Sequence, residues 1–244
     1  EIHMINTIFF DVGNTLRIVI PDAEFSGAAE AELMRLVETT EPKEVFFEKL
    51  EANWKKYRKY AKTELLDAGE MELWTQWLLP DYDTELVARH AGRLTRLWRD
   101  HDGRREPRPD VKPTLTELKK RGYKLGIIAN TITETEIPDW MIHDQVAGLF
   151  SATVLSSKVR IRKPDPAIYH LACRAAEVKP EECAYVGDNP VRDVEGTRAA
   201  GFGMMVRIDE PSSEKAPDND PKYIPDAIIQ NIGDLLGLFP ALGG

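Results

Sequence analysis

The spacing of strand-like segments constrains the fold of this 244-residue chain more than any other feature. One apolar run, Ile5 to Phe10, lies near the N-terminus, and roughly ninety residues without a strand pattern follow it. Further apolar runs alternate with helical patterns beyond residue 107, at 124–128, 152–155, 184–186, 204–207 and 227–229. Strands that alternate with helices are typical of βα units, so the sequence predicts an α/β protein with a parallel sheet.

The segment between the first and second strands predicts only helices. Within 42–62, for example, Phe46, Leu50 and Trp54 recur at a spacing of four residues. Similar patterns cover 22–39, 67–79 and 83–101. The stretch EPRPD, 106–110, is typical of a linker. We therefore expect one sheet domain whose chain is interrupted by an all-helical insertion.

Composition and charge narrow the classes of partner. The net charge of -9 and the sequence pI of about 5.2 predict a surface that repels nucleic acid and anionic membranes, so we expect neither as a partner. The two cysteines form no CxxC pair, and the first residues show no secretory pattern, so we expect a cytoplasmic protein. We expect residues 1–3, which precede Met4, to be a cloning remnant, and the chain to be a monomer or a homodimer.

Polar residues follow the predicted strands at places where chemistry can occur. In open parallel sheets, ligands bind beyond the carboxyl ends of the strands, so we expect these residues to converge on one crevice. They are Asp11 to Thr15, Asn130 with Thr131, Lys163 ahead of a predicted helix, and Asp188 with Asn189 and Asp193.

The residue types in this set suit phosphoryl chemistry. Asp11 and Asp188 offer hard oxygen ligands for Mg²⁺, and a carboxylate can also act as a nucleophile. Lys163 would neutralise the negative charge of substrate and nucleophile, and backbone N–H groups of residues 12–15 could bind phosphoryl oxygens. Each residue also has an ordinary structural interpretation, because an Asp after a strand is often a turn former and a Lys is often solvated.

The order of DVGNT, KPDPAIY and VGDNPVRDVEG along the chain resembles the haloacid dehalogenase (HAD) superfamily of hydrolases. The resemblance implies a Rossmann-like parallel-sheet core, here residues 1–16 plus 108–244. It also implies an all-helical cap of the C1 type, residues 17–107, inserted after the first strand. The resemblance further implies an aspartate nucleophile and, as in most of the superfamily, Mg²⁺. We expect a small phosphorylated metabolite as the substrate.

The resemblance also implies roles for individual residues. Asp11 would be the nucleophile and a metal ligand, and Lys163 the catalytic lysine. The backbone carbonyl of Gly13 and the carboxylate of Asp188 would complete the protein's metal ligands. Asn189 and Asp193 would not bind the metal directly but would help to hold its ligands and waters in place. The residues expected to bind substrate are Val12, Gly13, Asn14, Asn130 and Thr131.

Two positions depart from the pattern of the superfamily's phosphatases. Gly13 replaces the second aspartate, which protonates the leaving group, and Ala129 replaces a serine or threonine that binds a phosphoryl oxygen. A general acid or base is typically worth about 10² to 10⁴-fold in rate, so Gly13 favours substrates whose leaving group needs no proton.

Three hypotheses follow from these departures. The first is a Mg²⁺-dependent phosphatase, of low activity on alkyl phosphates, that forms an aspartyl-phosphate at Asp11. The second is a dehalogenase-like C–X hydrolase that needs no metal, and the third is a weak or inactive scaffold with a binding role.

Two further segments are informative. The stretch WKKYRKYAK, 54–62, either lines an anion-binding entrance or forms a helix with Trp54, Tyr57 and Ala61 inward and its cations solvated. The run 211–220, rich in Pro, Ser, Asp and Lys, predicts a surface loop.

Overall fold

The computed structural model describes residues 4–215 and 220–243. The expected cloning remnant, part of the 211–220 loop and the last residue of the predicted core therefore lie outside the described residues. The strands are β1 (Thr7–Phe10), β2 (Arg17–Ile20), β3 (Arg104–Pro107), β4 (Lys124–Ala129), β5 (Phe150–Leu155), β6 (Cys183–Gly187), β7 (Met204–Ile208) and β8 (Ala227–Ile229).

Six of these strands form one sheet in the order β5-β4-β1-β6-β7-β8, and every neighbouring pair is parallel. The predicted α/β fold with a parallel sheet is thereby confirmed. β1 pairs with β4 on one side and with β6 on the other, so Phe9 lies opposite both Gly126 and Tyr185. All residues of β1 are buried, as expected for a central strand of a parallel sheet.

Helices cover both faces of the sheet and form the insertion. They are α1 (Ala23–Leu36), α2 (Lys43–Glu64), α3 (Glu70–Glu72), α4 (Thr84–Asp100), α5 (Val111–Lys120), α6 (Glu136–His143), α7 (Ser156–Val159), α8 (Pro166–Ala176), α9 (Glu195–Ala199) and α10 (Leu235–Leu238). None of the described helices has the length and apolar character that crossing a membrane requires.

Successive residues of β1 point into different apolar clusters. Phe10 packs with Leu115 of α5 and Leu235 of α10 on one face. Phe9 packs with Tyr169 of α8 on the opposite face. This alternation follows from the two-residue period of a strand, and it buries both faces of the sheet.

The helices from α1 to α4 pack around an apolar cluster of their own, which includes Leu50, Tyr57, Trp74 and Trp98. The predicted helix at 67–79 is a loop followed by α3 and a π-helical turn, Leu73–Leu78. These helices, residues 23–100, are called the helical insert below.

The segment predicted to hold only helices also contains two short strands. β2 and β3 pair antiparallel, with Arg17 opposite Pro107 and Ile20 opposite Arg104, where the chain enters and leaves the insert. The expectation of an all-helical segment was therefore wrong at 17–20 and at 104–107, which are strands. The expectation of a plain linker at 106–110 was wrong for 106 and 107, which belong to β3. The sequence RREP of β3 is charged and ends in proline, so it becomes a strand only because β2 lies beside it.

A buried acid connects these two strands with helices on either side. Glu136, the first residue of α6, accepts hydrogen bonds from Arg17 of β2 at 2.9 Å and from Arg99 of α4 at 2.8 Å. Arg105 of β3 lies 3.9 Å from the same carboxylate. The cluster therefore joins the insert, the connecting strands and the sheet domain through one side chain.

A second set of contacts fixes the insert to the sheet domain. Asp67, in the loop after α2, accepts hydrogen bonds from Tyr57 at 3.0 Å and from Arg162 at 2.8 Å, and also from Ser156 after β5. Only 3% of Asp67 is exposed, so these donors offset the cost of burying its charge. Leu66 also forms an antiparallel bridge with Ile161.

The Glu136 cluster predicts a pH-dependent contribution to stability. Burial alone would raise the pKa of Glu136, but the guanidiniums of Arg99, Arg105 and Arg17 lower it to about 2. The unfolded carboxyl has the higher pKa, so the stabilisation is complete above about pH 4.5 and is lost as the pH falls towards 2. We expect Glu136→Gln to cost about 3 kcal/mol of the free energy of unfolding at pH 7.

Urea denaturation at pH 7 and at pH 3.5 measures this contribution, and the difference between wild type and variant should be smaller at the lower pH. Glu134→Gln removes a charge two residues away, from a side chain that makes no ion pair among the described residues, and is the matched control. An equal loss of stability at both pH values would contradict the ionic explanation.

Candidate active site

Asp11 is the first residue beyond β1, and its backbone N–H donates to the carbonyl of Val186 in β6 at 2.9 Å. Its carboxylate is 3% exposed and lies between two cations. Lys163 Nζ is 3.2 Å from Oδ1, and Arg192 Nη2 is 3.0 Å from Oδ2. The strand thus carries one carboxylate to the edge of the sheet, where two cations contact it.

Lys163 is buried behind the cleft, and its ammonium is fully engaged. Nζ lies 2.7 Å from Asp193 Oδ1 and 2.6 Å from the hydroxyl of Tyr185, in addition to Asp11. The side-chain amide of Asn130, after β4, donates to the Lys163 carbonyl at 3.0 Å and accepts from its N–H at 2.9 Å. Asn130 therefore holds the backbone of the lysine in place.

Three carboxylates meet at this edge of the sheet. Asp11, Asp188 and Asp193 each offer an oxygen, and these atoms lie within 4.8 Å of one another. Burial, with the negative charges of Asp11 and Asp193, raises the pKa of Asp188 to about 6. Burial would also raise the pKa of Asp193, but Lys163 and Arg192 hold it below its usual value.

Glycine at the end of β6 makes this approach of carboxylates possible. A Cβ atom on Gly187 would overlap the carboxylate of Asp193, so a larger residue there would push that acid away. Asp193 also accepts a hydrogen bond from the Asn189 backbone N–H at 3.0 Å, and the Asn189 side chain caps the turn by accepting from Arg192 at 2.7 Å.

Arg192 occupies a position that the sequence did not reveal. Its Nη2 atom is 3.0 Å from Asp11 and 3.3 Å from Asp188, so one guanidinium bridges the two predicted metal ligands. The spacing of four residues between Asp188 and Arg192 was the available signal, since such pairs lie on one side of a helical turn.

The turn after Asp11 forms part of the wall of the cleft. Among the N–H groups expected to bind phosphoryl oxygens, those of Asn14 and Thr15 donate within the turn, to Arg17 at 2.7 Å and Val12 at 3.3 Å. The N–H groups of Val12 and Gly13 are therefore the better candidates. Among the described residues other than Gly13 and its two chain neighbours, no atom lies within 4 Å of the place that a Cβ on Gly13 would take.

The cleft in front of Asp11 has a volume of about 260 Å³. Most of the predicted site residues line it, namely Asp11, Val12, Gly13, Asn14, Asn130, Asp188 and Asn189. Thr131 lines an adjoining cleft, and its hydroxyl accepts a hydrogen bond from the Thr133 N–H at 3.2 Å. Lys163 and Asp193 lie behind the cleft and contact its floor through Asp11 and Arg192.

Arginines of the insert and of the connecting strands line the same cleft, namely Arg17, Arg58, Arg99 and Arg105. With Arg192 they make five cations in a lining that also holds four acids, Asp11, Glu136, Asp188 and Glu214. The arginines can supply donors and positive charge to an anionic ligand.

The loop after β7 also reaches the site. Ser213 donates to the carboxylate of Asp188, and the side-chain amide of Asn189 donates to Glu214 at 3.1 Å. The 211–220 segment was predicted as a surface loop, and the exposure of Pro211, Ser212 and Glu214 agrees with this. Its contacts with the site had no signal in the sequence, because its composition is that of an ordinary loop.

Comparison with known proteins gives a family match over most of the chain. The family described as "Hydrolase: haloacid dehalogenase-like hydrolase" matches residues 5–201. A glyceraldehyde 3-phosphate phosphatase of Methanopyrus kandleri is 33% identical over 133 residues, which cover 54% of this chain and 55% of that protein. A phosphoserine phosphatase of Thermus thermophilus is 36% identical over 133 residues, covering 54% and 50%.

The chain thus spans about half the length of these curated relatives. Among solved structures, a 2-haloacid dehalogenase from Pseudomonas syringae aligns with a TM-score of 0.69 and 24% identity, covering 96% of this chain and 98% of that one. At this level of identity the likeness shows a shared fold.

Proposed function

The chain belongs to the haloacid dehalogenase-like hydrolases, and from that premise we propose that it is a Mg²⁺-dependent phosphatase acting on a small phosphorylated metabolite. The observation that carries this proposal is the position of the Asp11 carboxylate, which faces the cleft between Lys163 and Arg192. Two of its curated relatives are named as phosphatases of small phosphorylated molecules, which supports the same substrate class.

The proposed reaction has two displacement steps at phosphorus. An oxygen of Asp11 attacks the phosphoryl group, the bond to the leaving group breaks, and the leaving group departs with the bonding electron pair. Water then attacks phosphorus, which releases inorganic phosphate and restores the carboxylate. Lys163 and the N–H groups of Val12 and Gly13 stabilise the negative charge that these steps concentrate at the sheet edge.

The carboxylates present fit a divalent ion. Asp11 and Asp188 are hard oxygen ligands, and both already share one cation, the guanidinium of Arg192. They would hold Mg²⁺ together with the Gly13 carbonyl, while Asp193, engaged by Lys163, and Asn189 would support it. The ion supplies Lewis-acid charge to the phosphoryl oxygens.

The proposal predicts a covalent intermediate on Asp11. We expect p-nitrophenyl phosphate and acetyl phosphate to be hydrolysed in Mg²⁺ and not in EDTA, with turnover abolished in Asp11→Asn. Mass spectrometry after acid quenching should find the phosphoryl adduct on Asp11 in the wild type. Asp81→Asn, an exposed acid of the insert, is the control. Equal turnover by the wild type and Asp11→Asn would reject the nucleophile.

Gly13 predicts a preference for good leaving groups. The wild type should hydrolyse acyl and aryl phosphates much faster than sugar phosphates, because the cleft offers no acid at this position. Gly13→Asp has room for its side chain, and we expect it to raise the rate on a sugar phosphate by roughly 10²-fold. Gly13→Asn has nearly the same size without the acid, so an equal gain in this variant would show that proton donation is not the cause.

Arg192 predicts competition with the metal. Since its guanidinium bridges Asp11 and Asp188, we expect it to compete with Mg²⁺ for these two carboxylates. We expect Arg192→Gln to bind Mg²⁺ on the order of 10-fold more tightly, equivalent to about 1.4 kcal/mol, by isothermal titration calorimetry. Arg198→Gln removes the same charge from α9 and should leave the affinity unchanged. Weaker binding by Arg192→Gln would contradict the competition.

A C–X hydrolase is the second candidate, and the absence of an acid at Gly13 is the observation that favours it, since halide leaves without a proton. Chloride release from a 2-chlorocarboxylic acid in EDTA would support this candidate. The retained metal-binding set of Asp11 and Asp188 favours the phosphatase.

A further inference from the structure

Arg58 has no part in the chemistry proposed for Asp11, yet it borders the site. This residue of α2 lines the cleft in front of Asp11 and also the adjoining cleft, of about 290 Å³, that Trp54 and Trp98 line. Its guanidinium carbon lies 5.5 Å from the centroid of the Trp54 ring. The aromatic face therefore restricts where the guanidinium can lie.

The stretch 54–62 was interpreted either as an anion-binding entrance or as a helix with solvated cations, and each interpretation fits part of it. Tyr57 and Ala61 are fully buried in the insert, and Lys55, Lys56 and Lys59 are exposed. Arg58 is half-buried and lines the cleft that Asp11 and Asn130 of the sheet domain also line. One cation of the helix thus lines the site, while most of the others are solvated.

The other arginines around these clefts have carboxylate partners. Arg162 lies 2.8 Å from Asp67, and Arg99 lies 2.8 Å from Glu136. Across the part of the chain that the structure describes, Arg58 forms no ion pair with any carboxylate. Arg58 therefore lines the site without a carboxylate of the described residues as its counter-ion.

The surroundings of Arg58 make this arrangement costly without a ligand. Burial, and then the nearby positive charges of Arg162 and Arg192, lower the pKa of Arg58, and the smaller opposing effects of Asp67 and Tyr57 do not cancel this. A cation held among like charges and partly removed from water is destabilising unless an anion compensates it. An anionic group of the substrate can provide that compensation.

We propose that the substrate carries a carboxylate in addition to its phosphate and that Arg58 binds this carboxylate. The inference rests on the proposed function, because it places the phosphate at Asp11. A guanidinium offers two parallel N–H donors in one plane, which match the two oxygens of a carboxylate. A single unpaired arginine also matches the single negative charge of one carboxylate on the substrate. Arg58 and Asp11 border the same cleft of about 260 Å³.

The first test compares hydrolysis of 3-carboxyphenyl phosphate and phenyl phosphate. The wild type should prefer the carboxylated ester by about 10- to 100-fold in kcat/KM, the range of a charge-assisted hydrogen bond. Arg58→Gln should abolish this preference through a higher KM with little change in kcat. Lys59→Gln removes an exposed charge from the same helix and should keep the preference. Arg58→Lys keeps the charge without the planar donors and should retain part of it.

The second test measures binding without turnover. Asp11→Asn, alone and combined with Arg58→Gln, is titrated calorimetrically with the same two esters in Mg²⁺. We expect the same preference in Asp11→Asn and its loss in the double variant. If the wild type hydrolyses neither ester but this binding preference is present, the phosphatase proposal fails and the assignment of Arg58 stands. Equal affinities for the two esters, or a preference that survives Arg58→Gln, overturn the assignment.

Discussion

The site depends on the burial of Lys163 among carboxylates at the carboxyl edge of the sheet. An ammonium and its acids are costly to remove from water, and this cost is offset only if each group has partners at close range. Here Asp193 lies 2.7 Å from Nζ and Asp11 lies 3.2 Å from it. Breaking any of these contacts removes part of the compensation of a buried charge, so the same interactions that place Asp11 in the cleft also stabilise the fold.

The helical insert is attached to the sheet domain at more than one place. The β2–β3 pair and Glu136 connect it on one side, and Asp67 contacts Arg162 on the other. These contacts determine how far the arginines of the insert lie from the sheet edge. Phosphoryl chemistry would therefore belong to the strand ends, and recognition of the rest of the substrate to the insert.

Patterns of apolar residues predicted the parallel sheet and the strand ends that carry Asp11, Asn130 and Asp188, because a buried strand needs a continuous apolar run whatever its neighbours. The pairing of β2 with β3 was not predictable in this way, since charged RREP is a strand only beside its partner. Glu136 and the bridging position of Arg192 were likewise missed. Both depend on side chains from distant parts of the chain, such as Arg99 with Glu136 and Asp11 with Arg192, that meet only in the folded protein.

The charges of the site suggest why an arginine lies between the two proposed metal ligands, Asp11 and Asp188. Asp11, Asp188 and Asp193 carry three negative charges when ionised, and Lys163 with Arg192 supplies two positive charges. One negative charge remains, in agreement with the raised pKa of Asp188, about 6. A divalent ion in place of the guanidinium would neutralise the cluster and free Arg192 to move towards an incoming anion. The arginine thus offsets the charge of the acids, and under the proposed function its exchange for a metal would be part of preparing Asp11 to react.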